Sequence, residues 1–140
     1  EATSGCLELL ASTLADKKIN KVIGVESRGF FFGILLAQKL NAGFVPVRKP
    51  KKLPFETISA SYALEYGTDT LEIHVDAIKK GEKVLVHDDV LATGGTAKAV
   101  CELVEQLGGE IVQMNFLMEL SFLNGREKLG NKEIFAALTY

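Results

Sequence analysis

Apolar residues along the chain keep two rhythms, short unbroken runs and stretches in which they return every three or four positions. The first is the pattern of strands buried on both faces of a parallel sheet, the second that of helices packed against it. Lys21 to Val25, Phe44 to Val47, the run beginning at Val84, and Ile111 to Met118 read as such strands. Leu7, Leu10, Ala11 and Leu14 form one apolar stripe on a first helix that Thr3 or Ser4 can cap. Phe30, Phe31, Phe32, Ile34, Leu35 and Leu36 make a helix that is apolar nearly all round, which fits burial or a subunit interface, and Asn41 and Gly43 end it. Val100, Leu103, Val104 and Leu107 space a further helix, closed by Gly108 and Gly109.

Two segments depart from this alternation. Ser59 to Glu65 and Thr70 to Val75 flank a Tyr66-Gly67-Thr68-Asp69 turn, the pattern of a β-hairpin. With polar residues on both arms, the hairpin is expected to be a mobile lid that excludes water rather than part of a core. Ser121 to Asn131 is polar and loop-like, and Ile134 to Leu138 reads as a last edge strand. Residues 1–140 show no repeat, low-complexity tract or interdomain linker, so one domain is expected. Its predicted class is α/β: a doubly wound, mainly parallel sheet with helices on both faces and an inserted β-hairpin lid.

Composition adds limits. A chain of 140 residues buries roughly two-thirds of its unfolded surface and can sustain a core. Its 47% hydrophobic and 24% charged residues are those of a soluble globular protein. A net charge of −2 gives no reason to expect nucleic acid or an anionic membrane as partner. No apolar run approaches membrane-spanning length, and no signal-peptide pattern is visible. Cys6 and Cys101 lack metal-type spacing and read as two reduced thiols in a cytoplasmic chain. His74 and His87 have no companions at metal spacing and read as strand residues.

The chemistry is concentrated between Val84 and Thr96, Val-Leu-Val-His-Asp-Asp-Val-Leu-Ala-Thr-Gly-Gly-Thr. A buried strand is followed by two carboxylates, Asp88 and Asp89, and then by Ala92, Thr93, Gly94, Gly95 and Thr96 at the start of a helix. Gly94 and Gly95 let several backbone N–H groups converge on one anion at the positive end of that helix, and Thr93 and Thr96 add hydroxyl donors. Carboxylates repel a phosphate but accept hydrogen bonds from the paired hydroxyls of a ribose. Together these groups describe a ribose 5-phosphate site, whereas the Gly-Gly turn alone is also an ordinary strand-to-helix turn. A Walker loop is excluded because Gly95 is followed by Thr96 and Ala97 rather than lysine, and a dinucleotide fingerprint lacks its third glycine. Glu26, Ser27, Arg28 and Gly29 form a second small-residue turn at the carboxyl end of another strand, where open α/β sheets bind ligands. There Arg28 either pairs with a phosphate or remains a solvated charge.

Val84 to Thr96 resembles the phosphoribosyl pyrophosphate (PRPP) motif of the type I phosphoribosyltransferases. Gly24 to Gly33, Val47 to Pro54 (Val-Arg-Lys-Pro-Lys-Lys-Leu-Pro) and Leu64 to Gly67 (Leu-Glu-Tyr-Gly) narrow the resemblance to the adenine phosphoribosyltransferase family, across nearly the whole chain. The resemblance implies transfer of a 5-phosphoribosyl group from PRPP to adenine, giving AMP and pyrophosphate in purine salvage. It implies that Ser27, Arg28 and Gly29 belong to a pyrophosphate loop, with a non-proline cis peptide expected at Glu26–Ser27. Arg28 and Lys52 would serve the leaving group, Arg48 would reach the pyrophosphate of a partner subunit in a homodimer, and Glu65 would take the proton released by the purine. Mg2+ would be held mainly by substrate oxygens and water. The family pattern has glycine where this chain has Lys51, so that loop is expected to differ. Family members normally begin with a hood over the base, and this sequence is expected to start after it. A PRPP-binding module without turnover and a transferase for another purine base remain open alternatives.

Overall fold

The computed structural model describes residues 2–64 and 67–140. Five strands form one parallel sheet: β1 (Lys21–Val25), β2 (Gly43–Val47), β5 (Lys83–Leu91), β6 (Glu110–Glu119) and β7 (Ile134–Thr139), in spatial order β2-β1-β5-β6-β7. Helices α1 (Ala2–Ala11) and α2 (Gly29–Lys39) and helix α3 (Gly95–Gln106) complete the winding. The predicted doubly wound α/β class is therefore the observed one. Thr3 and Ser4 lie inside α1 rather than at its cap, because the helix already runs from Ala2.

Strand periodicity divides the core. In β1, Val22 faces a cluster with Leu10, Leu14, Leu36 and Leu85, while Ile23 and Val25 join a second cluster with Val84, Val86, Val100, Leu103 and Val104. Side chains at successive strand positions point to opposite faces, so each strand contributes to both layers. Because β1 lies between β2 and β5, the direction of winding reverses between β1 and β5. Such a reversal opens a crevice at the carboxyl ends of the two strands.

Three expectations need correction. The hairpin, β3 (Thr57–Leu64) paired antiparallel with β4 (Gly67–His74), is not a free lid along its length. Ala60, Leu71 and Ile73 are buried in the same cluster as α3, with Ile58 and Tyr62 packed against it. The serines and threonines on the arms are the outward half of a period-two pattern whose inward half is apolar. Strand β5 does not stop before the carboxylates: β6 continues to pair with it through Asp88↔Phe116 and Leu91↔Glu119. Ser121 to Asn131 contains two short 3-10 helices, Ser121–Leu123 and Gly125–Leu129, with Gly125 and Leu129 buried. Asn41 has a positive φ of 55° just beyond α2, in keeping with a helix stop there.

Candidate functional site

A cavity of about 310 Å³ opens where β1 and β5 end. Glu26 and Arg28 line it from β1, Asp88 and Asp89 from β5, and Ala92, Thr93, Gly94 and Thr96 from the turn into α3. Lys49 and Tyr62 also line it. Gly94 is in the left-handed conformation (φ 90°, ψ −3°) at the N-cap of α3, and its carbonyl accepts the first helical bond from Lys98 N–H at 2.9 Å. The N–H groups of Gly95, Thr96 and Ala97 have no carbonyl partner within the helix, so they stand at its positive end beside the cavity.

The two aspartates differ in environment. Asp88 Oδ1 accepts the backbone N–H of Asp89 at 2.8 Å. Burial pushes the Asp88 carboxyl up to about 8; the Asp89 N–H and Arg28 oppose this and the neighbouring Asp89 carboxyl adds to it. Gly29 makes that burial possible, since a Cβ there would lie 3.0 Å from Asp88 Oδ1. Asp89 is ion-paired instead, with Oδ2 3.1 Å from Arg28 Nε. Adjacent carboxyls at this spacing offer one protonated and one paired group to vicinal hydroxyls, which both donate and accept hydrogen bonds.

On the β1 side, the Glu26–Ser27 peptide is cis, as expected from the resemblance. Glu26 Oε1 accepts Lys49 N–H at 2.8 Å and Arg48 Nε at 3.3 Å. Burial alone would raise the Glu26 pKa, but these donors and the charges of Arg48 and Lys52 bring it below its usual value. Arg48 also lies over the Phe30 ring, 5.8 Å from its centroid, so it is turned toward the β1 loop and is not among the residues lining the cavity. Lys52 and Ser27 are exposed, Gly29 is buried and Gly95 half-buried, and all four lie outside the lining. Lys51 adopts φ 67° where the resembled pattern has glycine, and its N–H donates to Glu72 Oε1 at 3.2 Å. Glu65 and Tyr66 lie outside the described residues.

Lys49 was not singled out in the sequence beyond its place in a basic cluster. Its Nζ is paired with Asp69, which also accepts Tyr62 OH at 3.3 Å and Thr70 N–H at 2.9 Å. The hydrogen bond between them raises the Lys49 pKa and, together with the Thr70 N–H, lowers that of Asp69. The hairpin thus presents a seated cation to the cavity, a relation that exists only once β2 and β4 meet through the Arg48–Glu72 bridge. Among the described residues, no group of three His, Cys, Asp or Glu side chains converges as a metal cage. His87 is buried, with Nδ1 2.7 Å from Asn115 Oδ1, and is a strand residue as expected.

Residues 3–133 match the family model described as phosphoribosyl transferase domain. The chain is 74% identical over 140 residues to an adenine phosphoribosyltransferase of Flavobacterium johnsoniae, covering all of this chain and 82% of that protein. The crystal structure of adenine phosphoribosyltransferase from Rhodothermus marinus superposes with a TM-score of 0.96 at 51% identity, covering 99% of this chain and 79% of that one. The Saccharomyces cerevisiae adenine phosphoribosyltransferase, complexed with D-2,5-dideoxy-2,5-imino-altritol 1,6-bisphosphate and adenine, superposes with a TM-score of 0.87 at 49% identity, covering 94% of this chain and 75% of that one.

Proposed function

The chain belongs to the phosphoribosyl transferase family and, within it, to the adenine phosphoribosyltransferases, and on that premise we propose how its site transfers the 5-phosphoribosyl group of PRPP to adenine, giving AMP and pyrophosphate. The observation that carries the reading is the meeting, in one cavity, of the α3 N-terminus, the Asp88–Asp89 pair and Arg28. The N–H groups of the Ala92–Thr96 turn and the first turn of α3 grip the 5-phosphate, with Thr93 and Thr96 adding hydroxyls. Asp88 and Asp89 hold the ribose hydroxyls. Engaging Asp89 loosens its hold on Arg28, which then turns to the pyrophosphate.

Transfer breaks the bond between C1 of the ribose and the pyrophosphate oxygen and forms one to a purine nitrogen. Charge accumulates on the leaving group, so the rate depends on cations already placed around it and on a nucleophile held in line. Arg28 and Lys49 stand at the cavity for that purpose. Lys52 and Arg48 extend the positive field from the neighbouring loop, and Ser27 and Gly29 shape the loop that presents Arg28. Glu65 takes the proton that the purine nitrogen loses. A hard divalent cation suits oxygen ligands, and Mg2+ would be held mainly by substrate oxygens and water, with the ion-paired Asp89 the carboxylate at the cavity that fits it. Mg2+ bound in that way supplies charge neutralisation to the departing pyrophosphate.

The protein acts as a homodimer in the cytoplasm. Phe31 and Ile34, one turn apart on α2, are 58% and 51% exposed, an apolar face that association would cover. Cys6 and Cys101 are free thiols, in keeping with a reducing compartment. The test of function is PRPP-dependent conversion of adenine to AMP with equal release of pyrophosphate, and without product from hypoxanthine, xanthine or uracil. PRPP binding without pyrophosphate release, or a preferred base other than adenine, would contradict the reading.

A further inference from the structure

The phosphate-gripping turn has a back as well as a face. Gly125 does not line the cavity, yet it is buried directly behind the turn. A Cβ on Gly125 would lie 2.4 Å from Ala92 O, 3.0 Å from Leu91 Cδ1 and 3.2 Å from Gly94 N. From the other side, a Cβ on Gly94 would lie 2.5 Å from Gly125 O. The two segments therefore meet backbone to backbone, with no room for a side chain on either. Whatever fixes Gly125 also fixes Ala92 and Gly94, which do line the cavity.

What fixes Gly125 is the residue after it. Arg126 Nε and a terminal guanidinium nitrogen donate to the two carboxylate oxygens of Glu119, each at 2.8 Å. Glu119 is 4% exposed at the end of β6, and its carboxyl lies below its usual pKa chiefly because of that Arg126 fork. A two-bonded planar pair sets orientation as well as distance. Nearby, Leu120 N–H donates to Leu91 O at 2.9 Å, which carries the β5–β6 pairing up to the turn itself. We propose that Gly125, oriented by the Arg126–Glu119 pair, is a positioning residue that holds the Ala92–Thr96 turn in its phosphate-binding shape. This rests on the reading of that turn as the 5-phosphate site.

The proposal separates two halves of the substrate. Displacing the turn weakens ligands that carry a 5-phosphate, while the Glu26–Gly29 loop, whose Gly29 packs against His87 and Asp88 rather than the turn, keeps its affinity for pyrophosphate. The experiment is calorimetric titration of the purified chain with ribose 5-phosphate and, separately, with inorganic pyrophosphate and magnesium. In Gly125→Ala the turn must retreat by more than half an ångström to clear the new methyl group. Loss of one hydrogen bond to the charged phosphate is worth about tenfold or more in affinity, so ribose 5-phosphate affinity is expected to fall by at least about tenfold, with pyrophosphate affinity unchanged. Arg126→Lys keeps the charge and adds no bulk but loses the fork, so it is expected to give a smaller loss of the same selective kind; it serves even where Gly125→Ala does not fold. For both variants KM for PRPP rises more than kcat falls. Equal losses for the two ligands, or no loss of ribose 5-phosphate affinity, would overturn the positioning role. A wild-type chain that binds pyrophosphate but no ribose 5-phosphate would instead overturn the reading of the turn itself.

Discussion

Replacing Asp88 by asparagine tests the electrostatics of the site in the ligand-free protein. Burial raises the Asp88 carboxyl from an ordinary 3.8 to about 8, so across that interval the folded chain binds a proton that the unfolded chain has released. Stability therefore declines as pH rises through this window, by about 1.4 kcal/mol per unit for one fully coupled group. Between pH 6 and pH 8 the decline is at most about 2.7 kcal/mol, and solvent in the open cavity reduces it to roughly 1–2 kcal/mol. Asparagine keeps the bond from Asp89 N–H to Oδ1 and does not titrate. Urea denaturation at both pH values should show Asp88→Asn gaining stability over wild type by that amount on going to pH 8, while losing PRPP affinity. Parallel stability profiles for the two proteins across pH 6 to 8 would refute the argument that Asp88 is held neutral by its surroundings.

Other substitutions probe separate elements. Lys51→Gly removes a side chain from a left-handed backbone position; the relief of about 1–2 kcal/mol, less the extra freedom glycine gives the unfolded chain, leaves a gain of roughly 0.5–1 kcal/mol in thermal or urea unfolding. A loss of stability would contradict the strain. Asp69→Asn frees Lys49 from its partner, so kcat should fall about tenfold with unfolding within about 0.5 kcal/mol of wild type; a rise in KM for PRPP with kcat unchanged would make Lys49 a binding group rather than a stabiliser of the leaving group. Glu65→Gln should lower kcat by on the order of 10²-fold or more while PRPP affinity stays, and equal losses in both would count against proton transfer.

The parts legible in the sequence are those that local pattern fixes. The buried run from Val84, the acidic pair and the small-residue turn stand consecutively, so the strand, carboxyls and helix start could be read in order. The same holds for Lys21 to Val25 and the turn after it. What escaped depends on contacts between distant segments. The hairpin's inner face became visible only when Ala60, Leu71 and Ile73 met α3. Strand β5 runs on past Asp88 because β6 supplies partners there, overriding the poor strand preference of aspartate. Lys49 gains its position from Asp69, twenty residues on. Gly125 stood in a polar stretch with no periodicity, and only the approach of Gly94 gives it meaning. Arg48 likewise takes its place from distant segments, held toward the β1 loop by Glu26 and stacked over Phe30.

A crystal structure with PRPP and magnesium tests the central claim most directly. The account predicts the 5-phosphate against the N–H groups of Gly94 to Ala97, with the ribose hydroxyls on Asp88 and Asp89 and the pyrophosphate beside Arg28. A 5-phosphate seated on the Arg48–Lys52 segment, with the turn before α3 empty, would contradict it.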